Sequence, residues 1–180
     1  FLMTCAFPLL MALGRYSYAA DCVEGKPARR ALHRNLMIAG AVTALAGYGA
    51  IFSAHRPQHM LFGYNFALGV WAPTARVCHD WLGYAVLLLV LCQAYMGWAK
   101  LGALSMGKKA FASHETLGRL TLCLAAVNIC LGVHAWMWGV GYKLMVAGLA
   151  VVSLLVFGVF MPAAAAGREA AGGEPQAPLL

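Results

Sequence analysis

Two histidines in this chain each head the same spaced pattern, in which an amide follows after 14 residues and a glycine after 18. The two copies are His79, Gln93 and Gly97, and His114, Asn128 and Gly132. At about 100° per residue in an α-helix, both offsets return to within about 40° of the histidine's direction. Each copy therefore predicts one helix whose single face carries an imidazole, an amide and bare backbone. Such a face suits a large flat ligand that is held by imidazole.

A third segment keeps part of this pattern, because His33 is followed by Gly40 and Gly47 after 7 and 14 residues. A histidine at membrane depth is costly and is therefore a candidate for function. We interpret His33, His79 and His114 as metal ligands. The alternative for each is an imidazole that is merely solvated at the level of the lipid headgroups.

The remaining three histidines fit that alternative better. His55 and His59 fall in the loop 54–78, where they are interpreted as solvated side chains. His134 follows His114 by 20 residues, or about 200° of helix rotation, and so points away from the predicted ligand face.

The composition places these motifs in a membrane. Hydrophobic residues make up 62% of the 180 residues and charged residues only 11%, which excludes an ordinary soluble domain. Charged residues and histidines flank uninterrupted stretches about as long as the 20 apolar residues that cross a bilayer. The sequence therefore predicts an all-α membrane protein with one domain, 1–163, and a flexible C-terminal tail, 164–180. Its five transmembrane helices are predicted near 1–19, 33–54, 79–100, 114–138 and 142–163.

The formal net charge of +7 is explained by topology. With five spans, ten of the thirteen basic residues fall on the side that holds the loops 20–32 and 101–113 and the tail. The positive-inside rule makes that side cytoplasmic, or its topological equivalent. The N-terminus is then outside and the C-terminus inside, and the lipid bilayer is the partner that the charge implies. No nucleic-acid role is assigned to it.

An iron porphyrin is the ligand whose chemistry best suits these faces. Two imidazoles on facing helices fill both axial positions of the iron, so the centre passes electrons and leaves no site for oxygen. His33 and His114 meet this need near the cytoplasmic face. His79 would need a partner from the outer end of helix 1, which falls at or immediately upstream of Phe1.

These residues resemble a known family. His79 through Gly97 and His114 through Gly132 are similar to the third and fourth core helices of cytochrome b561. His33 through Met37 resembles the start of that family's second core helix. The resemblance is to the variety fused behind an extracellular DOMON domain in ferric-reductase-like proteins. It implies a bundle of the first four helices that holds two haems b. Their electrons would cross the membrane from a donor such as ascorbate to monodehydroascorbate or ferric iron.

Further site residues are expected around the haems. Gln93 and Asn128 either bond the cofactor or bridge neighbouring helices. The basic residues near the cytoplasmic face either pair with propionates or an anionic donor such as ascorbate, or only determine topology. These are Arg34, Lys108, Lys109 and Arg119.

Two other functions stay open at this point. One is a structural or accessory subunit of a larger membrane complex that keeps the fold with one haem or none, and has no turnover of its own. The other is a helical transporter with a histidine proton relay, although a relay would not need glycine-cleared faces. The leading hypothesis is an ascorbate-dependent or ferric reductase-type oxidoreductase, acting alone, as a homodimer or within a complex.

Overall fold

The computed structural model describes residues 2–19, 25–108, 110–135 and 139–160, and these are predominantly helical. The predicted tail, 164–180, and Lys109 lie outside the described residues. Short π-helical segments, Leu2–Ala6 and Val152–Phe160, adjoin the first and last α-helices. The five α-helices, α1 to α5 in chain order, are Phe7–Ala19, Lys26–His55, Thr74–Ser105, His114–Ala135 and Val140–Val151.

The middle helices are longer than their apolar stretches. α2 begins at Lys26, with a proline in its first turn, and His33 therefore lies in its interior. α3 likewise begins at Thr74, before His79, whereas His114 does begin α4. The expectation that all three histidines start their helices was wrong for His33 and His79. Charge-free stretches mark the part of a helix that suits hydrocarbon, whereas backbone hydrogen bonding continues into the charged flanks.

Three of the α-helices are long and apolar enough to cross a membrane by length and composition, namely α2, α3 and α4. The terminal helices α1 and α5 are shorter. Many large apolar side chains on the helices face outward, as a lipid-contacting surface requires, including Ile38, Leu88 and Trp98. The chain is therefore an integral membrane protein.

Helix packing is organised in two principal pairs, α1 with α2 and α3 with α4. α4 lies most deeply in the packed interior, with small and branched side chains such as Ala125, Ala126 and Val133 almost fully buried. Phe7 and Met11 from α1 join the same core cluster. Small residues on α4 permit the close helix approach on which membrane helix packing depends.

The loop between α2 and α3 contains a three-stranded antiparallel sheet, which the sequence did not predict. Its first two strands are joined by Phe62 and Gly63, both at positive φ, as in the type I′ turns of two-residue hairpins. Gly63 packs against Val77 in the first turns of α3, and the Phe62 ring contacts Trp81. The sheet is thereby held over the end of the bundle at which α2 ends and α3 begins. Its strands, β1 to β3, are Met60–Leu61, Tyr64–Asn65 and Val70–Trp71.

Candidate functional site

The two copies of the histidine pattern face each other across the antiparallel pair α3 and α4. Each histidine lies opposite the glycine that ends the other copy. Each amide lies opposite a further glycine, the one four residues after the other copy's histidine. The facing pairs are His79 with Gly132, Gly83 with Asn128, Gln93 with Gly118, and Gly97 with His114. The glycines therefore make room for side chains of the neighbouring helix. The sequence pattern predicted instead that this space holds a ligand bound by the histidine of the same helix.

His79 is held tightly near the N-terminus of α3, against the C-terminal part of α4. A Cβ atom at Gly132 would lie only 2.6 Å from His79 Cε1, so the imidazole rests directly on α4 backbone. The His79 Nδ1–H donates to the carbonyl oxygen of Asn128 at 2.9 Å. Because a carbonyl can only accept, the proton is fixed on Nδ1 and Nε2 keeps its lone pair for a metal.

A cavity of about 690 Å³ opens beside His79. Its volume is in the range of cofactor-sized pockets, which is about 300–1,000 Å³. Leu2 and Met3 from the N-terminal end of the first helical segment line it, as do Gly47 and Gly83. Met60, Leu61 and Phe62 of the small sheet also contribute to the lining.

Asn128 provides an independent sign that this cavity suits a ligand. The side chain lines the cavity and is only 8% exposed, and within the described part of the chain its Oδ1 has no hydrogen-bond partner. Buried polar atoms are nearly always satisfied, so an orphan beside a cavity fits a site that is completed by a bound group. An imidazole nitrogen that keeps its lone pair, a cofactor-sized volume and an unsatisfied amide together fit a haem b.

His33 lies on the face of α2 that packs against α1. Its Nδ1–H donates to the carbonyl oxygen of Gly14 at 2.8 Å, which again leaves Nε2 with its lone pair. The Tyr18 ring lies 5.4 Å from the imidazole, centroid to centroid. Farther along α2, the side chain of Met11 packs on Gly40 and that of Met3 on Gly47. Methionine is flexible and fills irregular gaps, so these glycine positions already have side-chain neighbours from helix 1.

His33 and His114, two of the predicted ligands, lie near one another. They lie within electrostatic range of one another, and Arg15 and Lys100 are in range of both. The ring of His114 contacts Gly97 on α3, where a Cβ atom would lie 3.6 Å from its Cε1. The structure thus brings together two of the predicted ligands from helices 2 and 4, together with two cations that the sequence analysis did not name as site residues.

Arg15 had a signal in the sequence, because it is the only charge in the first apolar segment. Its side chain, only 17% exposed, donates to Glu115 Oε1 at 2.8 Å. Arg119 donates to the same oxygen from the next turn of α4. Within the described residues, the Nε atoms of both arginines are buried without a partner. The cluster joins α1 to α4 beside His114 and keeps positive charge at this end.

The other predicted basic residues are more peripheral. Arg34 is exposed and contacts its neighbour Asn35, and Lys108 is exposed beyond the end of α3. His55, expected in the loop, is instead the last residue of α2 and lines the cavity beside His79. Its Nδ1–H donates to the Ile51 carbonyl oxygen. His134 is exposed near the end of α4, as expected from its angular offset.

We expect Glu115→Gln to lower the free energy of unfolding by less than about 1 kcal/mol, because the Glu115 side chain is 52% exposed and such ion pairs contribute little. Thermal unfolding of the detergent-solubilised protein measures this. The matched control is Glu115→Asp, which keeps the charge on a shorter side chain. A loss of several kcal/mol would contradict the peripheral placement of this ion pair.

Comparison with known proteins identifies the family of the chain. The family model for eukaryotic cytochrome b561 matches residues 1–139, which is most of the chain. No curated protein and no solved structure matches it. The described residues hold no group of three or more His, Cys, Asp or Glu side chains that could bind a bare metal ion, whereas a haem needs only axial ligands. The chain belongs to the eukaryotic cytochrome b561 family and is a transmembrane haem protein of electron transport.

Proposed function

We propose that this protein carries electrons across the bilayer through two bis-histidine haems b, one near each face. The observation that carries the proposal is shared by His33 and His79. In both, a main-chain carbonyl of a neighbouring helix fixes the proton on Nδ1 and leaves Nε2 able to bind iron. Metal-binding histidines characteristically hold their other nitrogen in this way. A haem held by these imidazoles would supply a low-spin iron that can exchange one electron.

The inner site is proposed to use His33 and His114. Arg15 and Lys100 give this site a positive potential, which attracts an anionic donor such as ascorbate and suits haem propionates. Arg119, which shares Glu115 with Arg15, adds to that positive charge. Arg34, Lys108 and Lys109 would steer the donor from farther away. The role of these residues is to bind and orient anions, and the apolar helices around them exclude water.

The outer site is proposed to use His79 and a histidine immediately upstream of Phe1. Leu2 and Met3 line the same cavity as His79, which supports a second ligand from this end of helix 1. Phe62 and the small sheet cover this cavity from the outer side. The acceptor, monodehydroascorbate or ferric iron, would approach from there.

Five membrane spans are part of the same proposal. Including the adjoining π-helical segments, the first helical run extends from Leu2 to Ala19 and the last from Val140 to Phe160. Each is long enough to cross the hydrocarbon layer. Residues 1–163 would then form one domain, with the N-terminus outside and the C-terminus on the cytoplasmic side.

The second candidate is an accessory subunit of a membrane complex that holds one haem or none. The packing of Met11 on Gly40 favours it, because that side chain lies where the sequence analysis expected space for a ligand. The reduced-minus-oxidised optical spectrum and the haem content of the purified full-length protein distinguish the two. Two low-spin b-type haems per chain support electron transfer across the membrane, whereas one or none supports the accessory subunit.

A further inference from the structure

The amide of Gln93 occupies a special position on His114. In the orientation that satisfies its neighbours, its NH₂ group donates to His114 Nδ1 at 2.8 Å and to the His114 carbonyl oxygen at 3.1 Å. Its oxygen accepts from the Gly118 N–H at 3.2 Å. All three contacts lie on the first turn of α4. His114 is therefore held by a side-chain amide, whereas His33 and His79 are held by carbonyl oxygens.

The equivalent residue of the other copy behaves differently. Asn128 faces Gly83 as Gln93 faces Gly118, but its side chain is one methylene shorter. Its Oδ1 is buried without a partner in the described structure, and His79 bonds to its main-chain oxygen instead. Two positions that the sequence makes equivalent thus give one histidine a fixed acceptor and the other an amide that can donate or accept.

This difference determines which nitrogen of His114 carries the proton. When Gln93 donates to Nδ1, the proton of the neutral ring lies on Nε2, and Nε2 cannot bind a metal. Binding through Nε2 requires the proton on Nδ1 and an acceptor facing it. The Gln93 amide would then have to rotate, which turns its oxygen towards the His114 carbonyl and its NH₂ towards the Gly118 N–H.

We propose that Gln93 is a positioning residue that selects the tautomer of His114 and thereby sets the affinity and the reduction potential of the inner haem. The inference rests on the proposed function, because it takes His114 as an inner ligand. Hydrogen bonds from a ligating imidazole to a strong acceptor make its metal-bound nitrogen a better donor. A better donor stabilises ferric over ferrous iron and lowers the potential.

Two substitutions at Gln93 are expected to act in opposite directions. Gln93→Glu supplies an acceptor for the Nδ1 proton without rotation of an amide, so the inner midpoint potential falls and the inner haem is retained more tightly. Gln93→Asn keeps the amide but withdraws it from the ring by one methylene. The inner potential should then rise, and haem affinity should decrease about tenfold, as is typical when the hydrogen bond to a ligand is lost.

The experiment is a spectroscopic redox titration of full-length protein in lipid nanodiscs, with each haem's potential fitted separately. Cys92→Ser is the matched control, since Cys92 is the neighbouring residue on α3 and is exposed. It should leave both potentials unchanged. In parallel, ¹⁵N NMR of histidine in haem-free full-length protein reports the tautomer directly, and we expect the His114 proton on Nε2 in the natural sequence.

The outcomes separate this inference from the proposed function. If both Gln93 variants bind two haems at unaltered potentials, or if haem-free His114 carries its proton on Nδ1, the inference is wrong. If His114→Ala retains the inner haem, the proposed function fails instead. Should the variants bind no haem at all, the NMR measurement on the natural sequence still decides.

Discussion

Replacing His114 with alanine is expected to remove the inner haem and to leave the protein in the membrane with the outer haem bound. The reason is that His114 lies within electrostatic range of His33, its proposed partner as a haem ligand, and alanine offers no axial ligand. About half of the low-spin b-type absorbance should disappear, since one of two haems is lost. His33→Ala should have the same effect, whereas His79→Ala should remove the other half.

The matched control is His134→Ala, because His134 lies on the same helix, 20 residues after His114, and is exposed. It should leave the optical spectrum unchanged. The measurement is the reduced-minus-oxidised spectrum together with the haem content per chain. A normal two-haem spectrum in either the His33 or the His114 variant would show that the inner ligands are misassigned.

Gly132→Ala is expected to displace His79 and to weaken or abolish the outer haem while the inner haem remains. The added Cβ would lie 2.6 Å from His79 Cε1 and 2.9 Å from its Nδ1, so the ring must move and its bond to the Asn128 carbonyl must break. Overpacking of this kind costs about 1–3 kcal/mol of stability. The readouts are the haem content and the thermal unfolding temperature.

Gly97→Ala provides an unusually close control. It occupies the same position in its own copy of the pattern, but its Cβ would lie 3.6 Å from His114 Cε1, which is ordinary contact. We expect both haems to be retained, with unfolding stability unchanged or raised by up to about 1 kcal/mol because alanine favours the helix. Equal losses of haem and of stability in Gly132→Ala and Gly97→Ala would contradict the inference that the His79 ring packs more tightly on its glycine than the His114 ring does.

The sequence by itself determined the class of this protein. Long charge-free stretches predicted membrane helices because hydrocarbon excludes charge. The repeated spacing after His79 and His114 predicted two matching helix faces, and their resemblance to cytochrome b561 agreed with the family match. These features depend on periodicity and composition, which are written in the order of residues.

The pattern of apolar and charged residues did not determine the helix ends or the small sheet. The interior position of His33 in α2 depends on backbone hydrogen bonding that continues through the charged residues before it. The strands after His55 depend on the two positive-φ residues of one turn and on the fit of Gly63 against Val77. Apolar periodicity carries little information about such short elements, because they contain only two residues each.

The tertiary structure alone decided what the repeated residues do. Spacing makes Gly97 and Gly132 equivalent, and likewise Gln93 and Asn128, yet their contacts differ between the copies. The difference arises because antiparallel packing sets each residue against the other helix, where one methylene or one ångström changes which atoms meet. Arg15 meets Glu115 in the same way, through the packing of α1 beside α4. Such contacts join residues far apart in the chain, so local pattern could not reveal them.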